Sequence, residues 1–223
     1  MKQTILTILL LTPLWLAAQA HRTNVGISLS AELQKSVGRN WSVSLEEEVR
    51  LVNNETGFDR SATAIGVDYT FLNNQLKVGA YYAFIYLYNS NHYYEPRQRY
   101  YLNLAYKQPV SQFTFSWRGR VQGTHRDEAR GDYKINPKYV MKNKLEVDYT
   151  IWGKPWKPYL SCDLSTELND YLGNDLTRLR YQGGTGWRLN RTDYVELFLR
   201  YDHHLNWKDA NVVSLGLGYK VKW

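Results

Sequence analysis

Apolar and polar residues alternate through one long segment after another between residue 25 and the C-terminus. In the last segment, NVVSLGLGYKVKW (211–223), aliphatic and aromatic residues fill every odd position from 213 onward, and serine, glycine and lysine lie between them. A period of two places the two sets on opposite faces of a β-strand. The same alternation recurs in 113–121, 177–189 and 194–205, and no pattern predicts a helix of ten or more residues after residue 20. The sequence therefore predicts an all-β protein.

The predicted strands are long. Most run 10–13 residues, whereas strands of globular proteins have about five or six and tilted membrane-spanning strands about 9–11. We place them near 25–37, 41–51, 61–71, 75–88, 97–107, 112–122, 139–149, 157–167, 176–189, 194–204 and 211–223.

Short and long connections alternate along most of the chain, with 150–158 long for a turn. Short turns at one end and longer loops at the other are typical of antiparallel up-and-down transmembrane β-barrels. Because bacterial single-chain barrels have even strand numbers, we expect about ten strands, with twelve as the alternative. Segment 25–37 would run the wrong way for a periplasmic N-terminus, so it is expected to be split, to lie inside, or to be an unpaired lead-in.

The alternation does not show which face of the sheet contacts water. A soluble periplasmic ligand-binding barrel would hide the apolar face, whereas a membrane barrel turns it to lipid. Aromatic residues near strand ends, such as Tyr81, Tyr82, Tyr100 and Tyr101, favour lipid, as does a polar face that carries both charge signs on adjoining strands. We therefore expect a lumen filled by a charge network. Its predicted members are Glu46, Glu48, Arg50, Arg118, Arg120, Lys144, Glu146, Arg178, Arg180, Glu196 and Arg200.

The two chain ends carry predicted export signals. Residues 1–20 have a basic start, an apolar run and Ala18-Gln19-Ala20, which is typical of a cleaved secretory signal peptide. The remainder, 21–223, is then a single barrel domain in the outer membrane. The C-terminal alternation, with Leu217, Tyr219, Val221 and Trp223 on one face, resembles the signal by which barrel-assembly machinery recognises outer-membrane barrels.

Composition narrows the function classes. A formal charge of +7 could suggest nucleic acid, but export makes that partner unexpected, so outer-membrane lipid and the assembly machinery are the predicted partners. One cysteine cannot form an internal disulfide or a structural zinc cluster. The run Gly183-Gly184-Thr185-Gly186 is not a dinucleotide fingerprint, because no helix follows it. We expect no cofactor.

The mature chain resembles an uncharacterised outer-membrane β-barrel family, known as domain of unknown function 2490. The resemblance rests on WSVSLEEEVR (41–50), the Gly79-Ala-Tyr-Tyr82 strand, RLRYQGGTGWRL (178–189) with the Glu-containing strand after it (194–204), and GLGYKVKW (216–223). It implies a barrel fold and an outer-membrane location, and it transfers no catalytic residues.

Function is less constrained. A barrel of about ten strands is largely filled by side chains, since wide channels need roughly 16–18, so we expect a structural protein or a narrow barrel for an unidentified small solute. The alternative is a hydrolase at the membrane rim, because His92 and His125 lie in predicted outer loops near Glu95, Asp127 and Glu128.

Overall fold

The computed structural model describes residues 23–53, 57–88, 93–128, 135–170, 175–205 and 210–223. Within these residues the chain forms eleven strands, close to the predicted segments. The strands are β1 (Thr23–Ser36), β2 (Trp41–Val52), β3 (Phe58–Phe71), β4 (Leu76–Tyr88), β5 (Tyr94–Val110), β6 (Phe113–Arg126), β7 (Lys138–Tyr149), β8 (Trp156–Glu167), β9 (Leu176–Arg188), β10 (Asp193–His204) and β11 (Asn211–Lys222).

The strands close into one barrel in which each strand pairs with its sequence neighbours. Those pairings are antiparallel, and the barrel closes by a parallel pairing of β1 with β11 that runs from Thr23↔Asn211 to Gln34↔Lys222. The predicted fold class is confirmed. The described strands number eleven rather than the expected ten. Segment 25–37, which the sequence argument did not count as a membrane strand, forms β1 and pairs with both β2 and β11.

An odd number of described strands puts the start of β1 and the end of β11 at opposite ends of the barrel. The end that carries β11's last residues has the connections 37–40, 72–75, 111–112, 150–155 and 189–192, and we call it the turn end. The other end, with 53–57, 89–93, 127–137, 168–175 and 205–210, is the loop end, and β1 starts there. Two tight turns depend on left-handed backbone, at Gly38 (φ 87°) and at Asn73 and Asn74 (φ 53° and 68°).

The exterior of the barrel is apolar. Leu102 and Leu145 are 63% and 60% exposed although they lie in mid-strand, as expected of side chains that face lipid. Aromatic contacts ring both ends, which is the arrangement of interfacial girdles. They include Trp41–Tyr69, Phe113–Tyr149 and Trp156–Trp187 at the turn end, and Tyr86–Tyr94 and Tyr100–Tyr139 at the loop end. The described residues contain no helix long and apolar enough to cross a membrane.

The carboxylate of Glu47 lies on this exterior face in the middle of β2. Ser61 Oγ on the next strand donates to Glu47 Oε1 at 2.7 Å, and the Thr63 hydroxyl donates to the other oxygen. These two hydroxyl partners satisfy a carboxylate that would otherwise be unpaired on an apolar face.

The interior is polar, the opposite of what a soluble ligand-binding barrel needs. Its most buried side chains include Ser28, Asp68 and Glu95 together with Ile85. An apolar patch is formed by Ala64, Tyr81, Ala83 and Tyr101 on the inner face of β3, β4 and β5. The barrel is therefore held by its closed hydrogen-bonded sheet and by polar contacts inside rather than by an extended hydrophobic core.

Glycines on this inner face make room for large rings. Phe198 lies between Gly184 and Gly216 in register, and a Cβ on Gly216 would come within 2.0 Å of the Phe198 ring. We expect Gly216→Ala to lower the free energy of unfolding by about 2 kcal/mol, because the buried ring must leave its place. Urea unfolding of the folded barrel in detergent measures the change.

Gly218→Ala is the matched control for that substitution. It lies on the same face of the same strand, and its Cβ would meet no atom nearer than Ser30 Oγ at 3.1 Å. We expect a loss of well under half that of Gly216→Ala. Equal losses for the two variants would show that ring packing is not the cause.

Candidate functional site

The eleven residues predicted for the lumen network all lie on the interior face of their strands. They do not form one network. Some pair with each other, some pair with interior residues that the sequence argument omitted, and others, such as Arg120, have a neutral hydrogen-bond partner.

One ionic group joins β2 to β10 across β1 and β11. Arg50 Nη2 donates to both oxygens of Glu48, at 2.8 and 2.9 Å, and Arg200 Nη1 approaches Glu48 Oε1 at 3.4 Å. The Ser28 hydroxyl on the intervening β1 also reaches Glu48 Oε1, at 3.4 Å. Small residues on the two intervening strands allow this reach, so the ionic group spans the parallel closure of the barrel.

A second group is centred on Asp202, which the predicted network did not include. Arg180 donates to its two oxygens at 2.5 and 3.0 Å, a bidentate pair. Arg178 Nε lies 3.9 Å from the same carboxylate. One buried carboxylate thus serves two arginines. Asp202 lies at an even position in segment 194–204, like Glu196 and Arg200, so the alternation could have placed it in the predicted network.

Further pairs lie toward the turn end. Lys144 Nζ donates to Glu146 at 2.5 Å, and Lys220 Nζ donates to Glu32 at 2.5 Å across the parallel pair. Glu196 accepts from the Tyr159 hydroxyl. Lys220, Glu32 and Tyr159 were not among the predicted members.

On the inner face of β3 to β6, charged and aromatic side chains contact one another in succession. Lys77 Nζ donates to Asp68 at 2.9 Å, and the Tyr81 hydroxyl donates to the same carboxylate at 2.8 Å. The rings of Tyr81 and Tyr101 are stacked with centroids 4.8 Å apart. The Arg120 guanidinium lies over the Tyr101 ring, 4.0 Å from its centroid, so a neutral ring rather than an acid faces this cation.

The interior encloses a cavity of about 650 Å³ that opens near the turn end, which we call the turn-end cavity. Among the described residues its lining has ten lysine or arginine side chains and six carboxylates. A smaller cavity of about 390 Å³ lies toward the loop end, next to Arg60, Arg178 and His204. The larger space is therefore polar and has a surplus of positive charge.

The two predicted rim histidines do not come together in the described residues. His92 lies outside them. His125 is exposed on the exterior face, with its ring centroid 5.9 Å from that of Tyr100. Across the parts of the chain that the structure describes, no three His, Cys, Asp or Glu side chains are grouped to hold a metal ion.

The residues of the predicted insertion signal follow the exterior face of β11 to the turn end. Leu217, Tyr219 and Trp223 are about half exposed, and the Tyr219 hydroxyl donates to Asp193 at 2.9 Å. The recognition of this segment by assembly machinery stays a prediction.

Comparisons with known proteins give one family match and structural similarity to solved barrels. The family model described as "Protein of unknown function (DUF2490)" matches residues 26–221. The solved structure of a NanC porin is similar at 16% identity and a TM-score of 0.57, over 90% of this chain and 99% of that chain. The β domain of the Bordetella autotransporter Brka matches at 12% identity and a TM-score of 0.48, over 84% of this chain and 86% of that one. At such identities the porin shows a shared fold. No curated protein matches the sequence.

Proposed function

The chain belongs to the DUF2490 family of proteins of unknown function, and we propose that it is a narrow outer-membrane barrel that admits small anionic solutes. The carrying observation is the positive surplus in the turn-end cavity, whose lining has ten cations against six carboxylates.

The size of the cavity supports a small solute. Sites for small molecules are typically about 300–1,000 Å³, and the turn-end cavity has about 650 Å³. An eleven-stranded barrel is well below the roughly 16–18 strands of wide aqueous porins. Side chains such as Arg118, Arg200 and Phe198 line the cavity. A solute in this space would therefore be in contact with the lining.

The charge of the lining supports anions. Rings of lysine and arginine select anions in membrane pores, because the field of fixed charges is screened weakly in a narrow, low-dielectric passage. Pairs such as Lys144 with Glu146 and Lys220 with Glu32 each neutralise one cation and one carboxylate, so the surplus of four cations in the lining remains. The net field offered to an entering solute is therefore positive.

Location in the outer membrane belongs to the same proposal. The apolar exterior and the two aromatic girdles support insertion, and cleavage after Ala20 would release the chain to the periplasm. In outer-membrane fractions, the folded chain is expected to change its gel mobility on boiling. A soluble protein with no mobility change would reject insertion, and N-terminal sequencing would test cleavage.

Conduction gives the direct test of the function. In a planar bilayer under a KCl gradient, the purified barrel is expected to give a reversal potential of the sign that chloride permeation produces. The double variant Arg118→Glu/Lys144→Glu leaves eight cations and eight carboxylates in the cavity lining. We expect its reversal potential to fall close to zero, because the surplus is gone.

The matched control makes the same change of charge outside the lumen. Lys35 and Arg39 are exposed near the first turn and do not line either cavity. Lys35→Glu/Arg39→Glu is expected to keep the selectivity of the unmodified chain. Cation selectivity in the unmodified chain, or no conductance and no dependence on solute, would reject the proposal.

A further inference from the structure

We propose that the lumen contains a binding site for a multiply charged oxyanion, of which phosphate is the simplest, made by Arg99, Arg120, Lys142 and Arg178. We call these residues the cation cluster. The inference deepens the proposed function, since it names the class of anion and the place where it is held.

Strand register brings most of the cluster into one row. Arg120 of β6 is paired with Lys142 of β7, which is paired with Ser165 of β8, which in turn is paired with Arg178 of β9. Arg99 of β5 is paired with Thr124 of β6, four residues from Arg120 toward the loop end. Three strands thus place cations in one row, and β5 adds Arg99 beside it.

The hydrogen-bond partners of the cluster are mostly neutral. Arg99 Nε donates to Thr124 Oγ1 at 3.0 Å, and Arg120 Nε donates to Asn103 Oδ1 at 2.8 Å. These contacts orient the guanidinium groups but do not neutralise them. Glu46 attracts Arg120, but it also interacts with Arg118 and Lys220, so its charge is shared.

Lys142 is the centre of the cluster and has the least compensation. No hydrogen bond or ion pair joins it to another residue within the described segments, although it lies inside the barrel. Arg120 is its partner in register on β6, and Arg178 lies two strands away on β9 in the same row. A buried lysine nitrogen without a partner of its own is available to bind a ligand.

Arg178 supplies a second, independent sign of an unfilled site. Its Nε is buried and has no hydrogen-bond partner. The nearest carboxylate oxygen, on Asp202, is 3.9 Å away, which is beyond hydrogen-bonding distance, and that carboxylate is held by Arg180 at 2.5 Å. A buried unpaired donor of a charged group is costly, and an incoming oxyanion would satisfy it.

The number and type of the donors indicate the ligand class. Guanidinium groups match carboxylate and phosphate oxygens, and lysine binds phosphate as a point charge. Chloride is a single atom with one charge, whereas the cluster presents several donors that come from different strands. An oxyanion with two or more charges and several oxygens fits this arrangement.

The cluster lies one step along the strands from the turn-end cavity. The residues two positions away on β6, β7 and β9, namely Arg118, Lys144 and Arg180, line that cavity. Arg178 lines the smaller cavity toward the loop end. A solute that passes from one cavity to the other would therefore meet the cation cluster.

Phosphate binding can be measured without conduction. The full-length folded barrel in detergent is unfolded by urea in increasing inorganic phosphate, with sodium chloride adjusted to hold the ionic strength constant. Ligands that bind only the folded state stabilise it in proportion to saturation. We expect phosphate to raise the unfolding midpoint, and Lys142→Gln to weaken the apparent affinity at least about tenfold, since a charge-assisted contact is lost.

Lys138→Gln is the matched control. Lys138 lies on the inner face of the same strand, and its ammonium group is paired with Glu167, so the same charge is removed where it is already compensated. We expect this variant to keep the phosphate affinity within about twofold, since distant sites act independently. Lys142→Arg, which keeps the charge, is expected to restore most of the binding.

The possible outcomes separate this inference from the proposed function. Equal phosphate stabilisation in Lys142→Gln and the unmodified chain would overturn the site. So would a midpoint in the unmodified chain that does not respond to phosphate beyond chloride, and that titration needs no variant to fold. Anion-selective conduction without a phosphate response leaves the proposed function intact and removes only the cation cluster as a site. A phosphate response without conduction removes passage and leaves the site.

Discussion

A cysteine at position 23 is expected to react with a membrane-impermeant maleimide in intact cells, and a cysteine at position 191 is expected not to. β1 starts at the loop end and β11 finishes at the turn end, because the two strands are parallel. In outer-membrane barrels the longer loops face outward and the short turns face the periplasm. Thr23 should therefore be outside and Arg191, in the turn 189–192, inside.

The labelling experiment needs three single-cysteine variants. The native Cys162 is free and is replaced by alanine in all of them. Thr23→Cys, Asn53→Cys and Arg191→Cys place the thiol at exposed positions, with Asn53 as the control at the loop end. We expect positions 23 and 53 to label fully and 191 only after the cells are permeabilised. Position 23 behaving like position 191 would contradict the parallel closure and return the even-stranded arrangement.

Asp202→Ala is expected to lower the free energy of unfolding by about 3 kcal/mol. Its carboxylate side chain is 8% exposed and holds Arg180 by two hydrogen bonds, with Arg178 beside it. Removing one partner of a buried ionic group leaves the others without compensation, which typically costs about 3–5 kcal/mol. Here two arginines, already close to Lys142, would lose the carboxylate that serves them. Urea unfolding of the folded barrel measures the loss.

Glu32→Ala provides the control for that prediction. Glu32 and Lys220 also pair across neighbouring strands of the lumen, but their side chains are 28% and 36% exposed. Exposed ion pairs contribute about 0–1 kcal/mol, so we expect a loss of less than about 1 kcal/mol. If the two variants lose the same stability, the lumen is wet enough to screen both pairs, and burial does not set their strength.

The alternation of the sequence predicted the strands and their faces well, because each strand has one face on lipid and one on the lumen. Leu215 and Leu217 lie outside and Ser214 and Gly216 inside, as the period requires. What the sequence could not provide was the partner of β1. The parallel pairing depends on the register Thr23↔Asn211, and no local pattern reports a contact between the two ends of a chain.

The sequence predicted which side chains face the lumen, but it did not predict which of them pair with each other. Arg180 and Asp202 each had interior parity, but their pairing follows from the register of β9 on β10. Glu46 and Arg50 have the same parity, yet Glu48 rather than Glu46 receives the arginine. Side-chain reach inside a closed barrel decides these pairs, as it decides that Lys142 receives no carboxylate. The alternation predicted the fold and the family resemblance supported it, whereas the cation cluster follows only from the register.

The parallel pairing of β1 with β11 also constrains the order in which the barrel can fold. The strand at the start of the chain is left with an open edge until the last strand exists, and contacts such as Lys220 to Glu32 join positions 188 residues apart. Contacts of such long range form late and slow folding, since a large loop must be closed first. An unpaired edge is meanwhile a site for wrong association. A chain truncated before β11 thus cannot close the barrel by this pairing, because the edge of β1 is paired only when β11 is present.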